Sequence, residues 1–179
     1  MSFFKNYINN IFSVAGNIKN EQFENSIKLI KEVIERKGKI ILAGNGGSSA
    51  ISSHVSVDFS KAAGVRAINF NEADLITCLS NDYGYENWIE KALEFYADAK
   101  DLVILISSSG KSQNIINAAE RTKELAVPLI TFSGFDKENK LRKLGIINFW
   151  VDSKEYNVVE MTHHIWLLAI VDRIIAEGF

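Results

Sequence analysis

Two short segments of this chain have the composition of anion-binding loops. The first, Ala43-Gly44-Asn45-Gly46-Gly47-Ser48-Ser49, follows an apolar run and opens a helical pattern. Its glycines allow tight turns and a close approach of backbone to ligand. The second, Ser107-Ser108-Ser109-Gly110-Lys111-Ser112, stands in the same context. Its serine hydroxyls can donate to phosphate oxygens beside backbone N–H groups, and Lys111 can add positive charge. Neither segment is a nucleotide loop. The first lacks the third glycine of the dinucleotide fingerprint, and the second has Leu105 where a triphosphate loop needs its leading glycine. Taken singly, each reads equally well as a serine-glycine turn, with Ser112 as a helix cap. Two of them at the carboxyl ends of parallel strands point to one anion site.

The elements that must carry these loops alternate along the chain. Short β-branched and apolar runs predict strands at Lys39–Ala43, Val65–Phe70, Leu102–Ser107, Val127–Phe132 and Ile146–Val151. Helical periodicity predicts helices near Asn20–Arg36, Ser48–Ala62, Tyr85–Ala97, Ser112–Leu125, Glu138–Leu144 and Val158–Ala176. An earlier stripe of Phe4, Ile8, Ile11 and Ala15 predicts a further leading helix. The expected fold is α/β: a single doubly wound parallel sheet of about five strands, flanked by helices and preceded by two of them. Pro128 is the only proline and no linker or repeat interrupts the pattern, so residues 1–179 read as one domain with 1–36 as its N-terminal helices.

Composition narrows the function. Hydrophobic residues make up 47% and charged residues 23% of 179, which is ordinary for a chain with one packed core. A formal net charge of -2 offers no basic footprint for nucleic acid. Cys78 is the single cysteine, which excludes an internal disulfide and a thiolate metal cage. Lys5, Asn6, Asn9 and Asn10 interrupt the apolar residues of 1–16, so neither a signal peptide nor a membrane span is expected there, and the expected location is cytoplasmic. Trp88, Trp150 and Trp166 read as packing residues, Cys78 as buried, and Asp136–Lys143 as a solvated face.

A third segment, Ser80-Asn81-Asp82-Tyr83-Gly84-Tyr85, reads by itself as a turn. Together with Gly44-Asn45-Gly46-Gly47-Ser48 and Ser107–Ser112, at this spacing, it resembles the sugar isomerase (SIS) domain family. More narrowly, nearly the whole chain resembles the bacterial phosphoheptose isomerases, which interconvert sedoheptulose 7-phosphate and D-glycero-D-manno-heptose 7-phosphate. The resemblance implies the SIS fold and a sugar phosphate ligand held by Ser48, Ser107, Ser109 and Ser112. It implies sugar contacts from Asn45, Gly46 and Asp82. It also implies a homotetramer with active sites at subunit interfaces, and a place in nucleotide-heptose or surface polysaccharide synthesis.

An aldose-ketose isomerase moves a proton between neighbouring carbons, so it needs a base and a group that polarises the carbonyl. In the family a glutamate and a histidine do acid-base work, and a zinc site combines His and Glu on one helix with Gln and His on the last. His54 matches this pattern, but Asp58 stands for the glutamate, Glu160 for the glutamine and Leu168 for the last histidine. His164 shares a helical stripe with positions 160 and 168, whereas His163 points about 100° away. The expectation is that His54, Asp58, Glu160 and His164 converge as an altered metal or acid-base cluster. Zinc is the leading candidate metal, and Asp58 is the base assisted by Glu160 or His164. Leu168 favours the alternative of a phosphosugar-binding or protein-interaction module that has lost catalysis.

Overall fold

The computed structural model describes residues 2–178, so Met1 and Phe179, the ends of the 1–179 span, lie outside the described residues. Five parallel strands form one sheet in the order β2-β1-β3-β4-β5. They are β1 (Ile40–Gly44), β2 (Ala67–Asn69), β3 (Leu102–Ser107), β4 (Leu129–Ser133) and β5 (Ile147–Trp150). The helices are α1 (Phe3–Gly16), α2 (Asn20–Glu35), α3 (Gly47–Lys61), α4 (Ala73–Tyr83), α5 (Trp88–Tyr96), α6 (Gln113–Glu124) and α7 (Tyr156–Glu177).

Both layers follow from strand alternation. Ile40 and Leu42 of β1 and Leu102, Ile104 and Ile106 of β3 face a core shared with α2, α3 and α7. Ile41, Ala43, Val103 and Leu105 face the opposite core, shared with α4, α5 and α6. With helices over both faces, β1 and β3 are buried along their whole length, which is why they read as unbroken apolar runs. Buried Asp101 fixes their starts. Its carboxylate accepts from the Lys39 and Asp98 backbone N–H groups at 2.9 and 2.8 Å and from the Lys39 ammonium at 2.5 Å.

The structure corrects several expectations. Residues 73–83 form a helix, so Asn81 and Asp82 close α4 instead of making a turn, and Gly84 ends it with φ 87. On α4 Leu79 faces the core, which leaves Cys78 exposed instead of buried. The expected helix at Glu138–Leu144 shrinks to one 3₁₀ turn, Leu141–Lys143. The buried amide of Asn139 explains this: it donates to the carbonyls of Gly134 and Asp136 and accepts from Arg142 N–H, replacing helical bonds with local ones. The stripe on α1 packs against α7, and of its residues only Ile11 is buried. The tryptophan reading holds for Trp88 and Trp166, both 2% exposed. Trp150 is half-buried under the Arg142 guanidinium.

Helix α7 has two chemically different sides. His163 points into the core, edge-on to Phe132, with Nε2 3.0 Å from the Ser133 carbonyl oxygen. Nε2 therefore carries the proton and Nδ1 is left buried without a partner. Burial drives its pKa down to about 4, and the hydrogen bond to Ser133 only partly opposes it. A base whose folded pKa lies below its unfolded value contributes stability that is complete above the unfolded pKa and is lost as pH falls toward the folded one. Between about pH 6.5 and 4 we expect unfolding free energy to fall by about 3 kcal/mol from His163 alone. Urea denaturation across that range should show the slope in the wild type, and His163→Gln should flatten it.

Candidate active site

Adjacent parallel strands β1 and β3 deliver both loops to the same end of the sheet, with Gly44 paired to Ile106. The chain departs from β1 toward β2 on one side, while β3 lies on the other. At this switch point the strand-to-helix loops diverge and leave a crevice. Gly46 turns the first loop into α3 with φ 53 and ψ -121, a conformation that a side chain resists. The loops are then joined by a reciprocal amide pair. Asn45 Nδ2 donates to Asn114 Oδ1 and Asn114 Nδ2 donates to Asn45 Oδ1, both at 2.9 Å, and the Tyr85 hydroxyl also donates to Asn45 Oδ1 at 3.2 Å.

The crevice is a cavity of about 120 Å³ lined by Asn45, Ser48, Ser107–Ser109, Ser112, Ile106, Tyr156 and Glu160. It gathers Ser48, Ser107, Ser109 and Ser112, the expected phosphate ligands. Ser107 Oγ donates to Ser112 Oγ at 3.3 Å, so Ser112, although at the N-cap of α6, makes no side-chain cap bond. Ser108 is a further lining residue, 5% exposed, whose buried Oγ has no partner within the protein. An unpaired buried hydroxyl costs about 1–3 kcal/mol, so the cavity is primed for a polar guest. No lysine or arginine lines it. The Lys111 ammonium lies outside, 3.8 Å from an Asp136 oxygen. A bound anion would meet neutral hydroxyls and the amino ends of α3 and α6, both without a side-chain cap.

The remaining expected residues separate. Asp82 sits on the exposed end of α4, accepts from Asn81 Nδ2 at 2.9 Å and does not line the cavity. Glu160 does line it, with its carboxylate packed on the Cα of Gly47: a Cβ there would stand 2.3 Å from Oε2. Asp58, His54 and His164 form their own cluster. Asp58 Oδ2 is 3.2 Å from His54 Nε2, and His54 Nδ1 is 2.8 Å from His164 Nε2. The pKa of His164 is lowered, first by burial and then by His54, with Asp58 opposing. One contributor was missed from sequence, Asn114, and Ser108 was read as part of the serine loop but not among the four phosphate ligands that the resemblance implied. Asn114 gave one signal, an amide two residues past a cap position on the face that must turn back to the sheet.

These side chains do not fit the expected zinc. A tetrahedral zinc needs lone pairs converging at about 2.0–2.2 Å from each nitrogen or oxygen ligand. His54 instead turns one ring nitrogen to His164 and the opposite one to Asp58, while Glu160 lines the serine cavity. Among the described residues, no three His, Cys, Asp or Glu side chains form a group that could hold a metal ion.

The contact between Gly47 and Glu160 is directly testable. Gly47→Ala should cost about 1–3 kcal/mol in urea denaturation through overpacking, and adding Glu160→Ala should recover most of that loss. Additive losses would mean that the carboxylate is not held there.

The SIS domain family model matches residues 3–134. The phosphoheptose isomerase of Thermodesulfovibrio yellowstonii is 32% identical over 169 residues, covering 87% of this chain and 84% of that one. The phosphoheptose isomerase of Helicobacter pylori strain P12 is 29% identical over 158 residues, covering 85% and 82%. The solved phosphoheptose isomerase of Neisseria gonorrhoeae superposes with a TM-score of 0.87 at 23% identity, covering 96% and 94%, and so has the same fold. By its loops, its sheet order and these likenesses, the chain belongs to the SIS domain family.

Proposed function

We propose that this protein is an aldose-ketose isomerase of a sugar phosphate, with Glu160 as its base. The best candidate reaction is sedoheptulose 7-phosphate to D-glycero-D-manno-heptose 7-phosphate, or that of a related ketose or aldose phosphate, feeding nucleotide-heptose or surface polysaccharide synthesis. The observation that carries the reading is the Glu160 carboxylate in the wall of the five-serine cavity. The serines anchor the phosphate and fix the sugar chain relative to the base. Glu160 takes the proton from the carbon beside the carbonyl, that bonding pair becomes the enediol double bond, and the carbonyl oxygen takes a proton from water, to which the neighbouring hydroxyl later returns one. In the second half the neighbouring hydroxyl gives up its proton, and Glu160 returns its own to the other carbon. The base thus moves from Asp58, the sequence expectation, to Glu160, because Asp58 is engaged by His54.

Incubating the purified protein with sedoheptulose 7-phosphate and following the aldose product by NMR tests the reaction. Glu160→Gln should lower kcat by about 10²–10⁴-fold with little change in KM. Ser107→Ala and Ser112→Ala should act chiefly on KM. Wild-type kcat in Glu160→Gln would remove the proposed base. Turnover of another ketose phosphate but not this one would replace the substrate. Tight binding with no turnover of any would favour the binding module that Leu168 suggests.

The apolar side of α1 supports assembly into a homotetramer. Phe3, Phe4 and Phe12 are 74%, 77% and 66% exposed on one helix, more apolar surface than a lone protomer ordinarily leaves in water. Light scattering should report a tetramer for the wild type and smaller species for Phe4→Glu combined with Phe12→Glu. An unchanged mass would remove α1 from the interface.

A further inference from the structure

We infer that Asp58, His54 and His164 form a directional hydrogen-bonded chain that holds His164 in one tautomer and works without a metal ion. Asp58 and His54 are its positioning residues, and His164 is its proton-exchanging end. The purpose of the chain rests on the isomerase reading; its geometry does not.

The direction follows from the donor inventory. A carboxylate can only accept, so the contact of Asp58 Oδ2 with His54 Nε2 at 3.2 Å places the proton of His54 on Nε2. A neutral imidazole carries one N–H, so His54 Nδ1 is then an acceptor. The 2.8 Å approach of His164 Nε2 to that nitrogen must be spanned by a proton on His164. Each link thus sets the next, and His164 Nδ1 is left as a free lone pair.

The surroundings suit this arrangement. The two rings stand at 86°, which lets the N–H of one point along the lone pair of the other. His164 borders an apolar cavity between α1 and α7 with Ile8, Ile11, Phe12 and Leu168. Leu168, where the resemblance places a histidine, lines the apolar side of that cavity beside His164. Burial lowers the pKa of His164, which favours its neutral ring. His164 also lies one helical turn from Glu160. A substrate hydroxyl that reaches Nδ1 can give up its proton there, and the imidazolium so formed can pass that proton to the carbonyl oxygen while Glu160 serves the carbons.

The test reads the tautomer directly. Nitrogen-15 NMR of metal-stripped wild-type protein should show His164 protonated at Nε2. Asp58→Asn, nearly isosteric, lets the amide donate to His54 Nε2 and reverses both links, so the His164 proton should move to Nδ1. His54→Ala at an exposed position should leave His164 a mixture of tautomers. In the same samples, kcat on sedoheptulose 7-phosphate should be insensitive to chelator in the wild type and fall by about 10²-fold or more in Asp58→Asn. An unchanged His164 tautomer in Asp58→Asn overturns the chain, as does activity lost to chelator and restored by zinc with both imidazole signals shifted. A wild-type protein with the expected tautomers but no turnover refutes the isomerase reading and leaves the chain standing.

Discussion

The reciprocal amide bonds between Asn45 and Asn114 are the constraint on which the site depends. Neighbouring strands in a sheet lie about 4.8 Å apart, so β1 and β3 necessarily bring their loops to the same edge. Nearness alone does not make a pocket, because glycine- and serine-rich loops have little apolar surface to hold them in place. The amide pair supplies what packing cannot. Each of its hydrogen bonds contributes about 0.5–1.5 kcal/mol net, and Asn114 is anchored in a buried position at the start of α6. With the first loop fixed to the second helix, five serines share one wall and α7 can lay Glu160 across the opening.

That arrangement handles charge economically. For the proposed sugar phosphate, a wall without lysine or arginine would rely on hydroxyl dipoles and helix amino ends, which can hold a phosphate without neutralising a nearby carboxylate. A lysine in the wall would pair with Glu160 and depress its basicity. The outward turn of Lys111 toward Asp136 suits that proposed chemistry. Helix α7 divides its residues in a similar way. His163 is committed to the core by its bond to Ser133, whereas Glu160 lines the serine cavity and His164 meets His54.

Where sequence reading failed, a local side-chain bond or an overlooked periodicity was responsible. Leu75, Leu79 and Tyr83 stand four apart, a helical spacing, but the polar Ser80–Tyr85 segment drew attention to a turn. Asn139 shows the reverse error, since its amide bonds dissolve a helix that the apolar spacing suggested. The four histidine and acidic residues expected to converge divide between two places, Glu160 at the serine cavity and Asp58, His54 and His164 in a cluster of their own. A spacing of four says that two side chains share a helix face; it does not say which ring nitrogen meets which partner.

The sequence by itself determined the α/β sheet, the strand-helix alternation and the two serine-rich loops at strand ends, because these depend on local periodicity and turn chemistry. Tertiary structure alone decided that Asn114 would clamp Asn45, that Glu160 would enter the serine cavity while Asp58 turned to His54, and that Asp82 and Lys111 would stay outside. Those outcomes depend on contacts between residues far apart in the chain, set by how α3, α6 and α7 dock on the sheet, and hydrophobic periodicity does not encode the direction of a hydrogen bond.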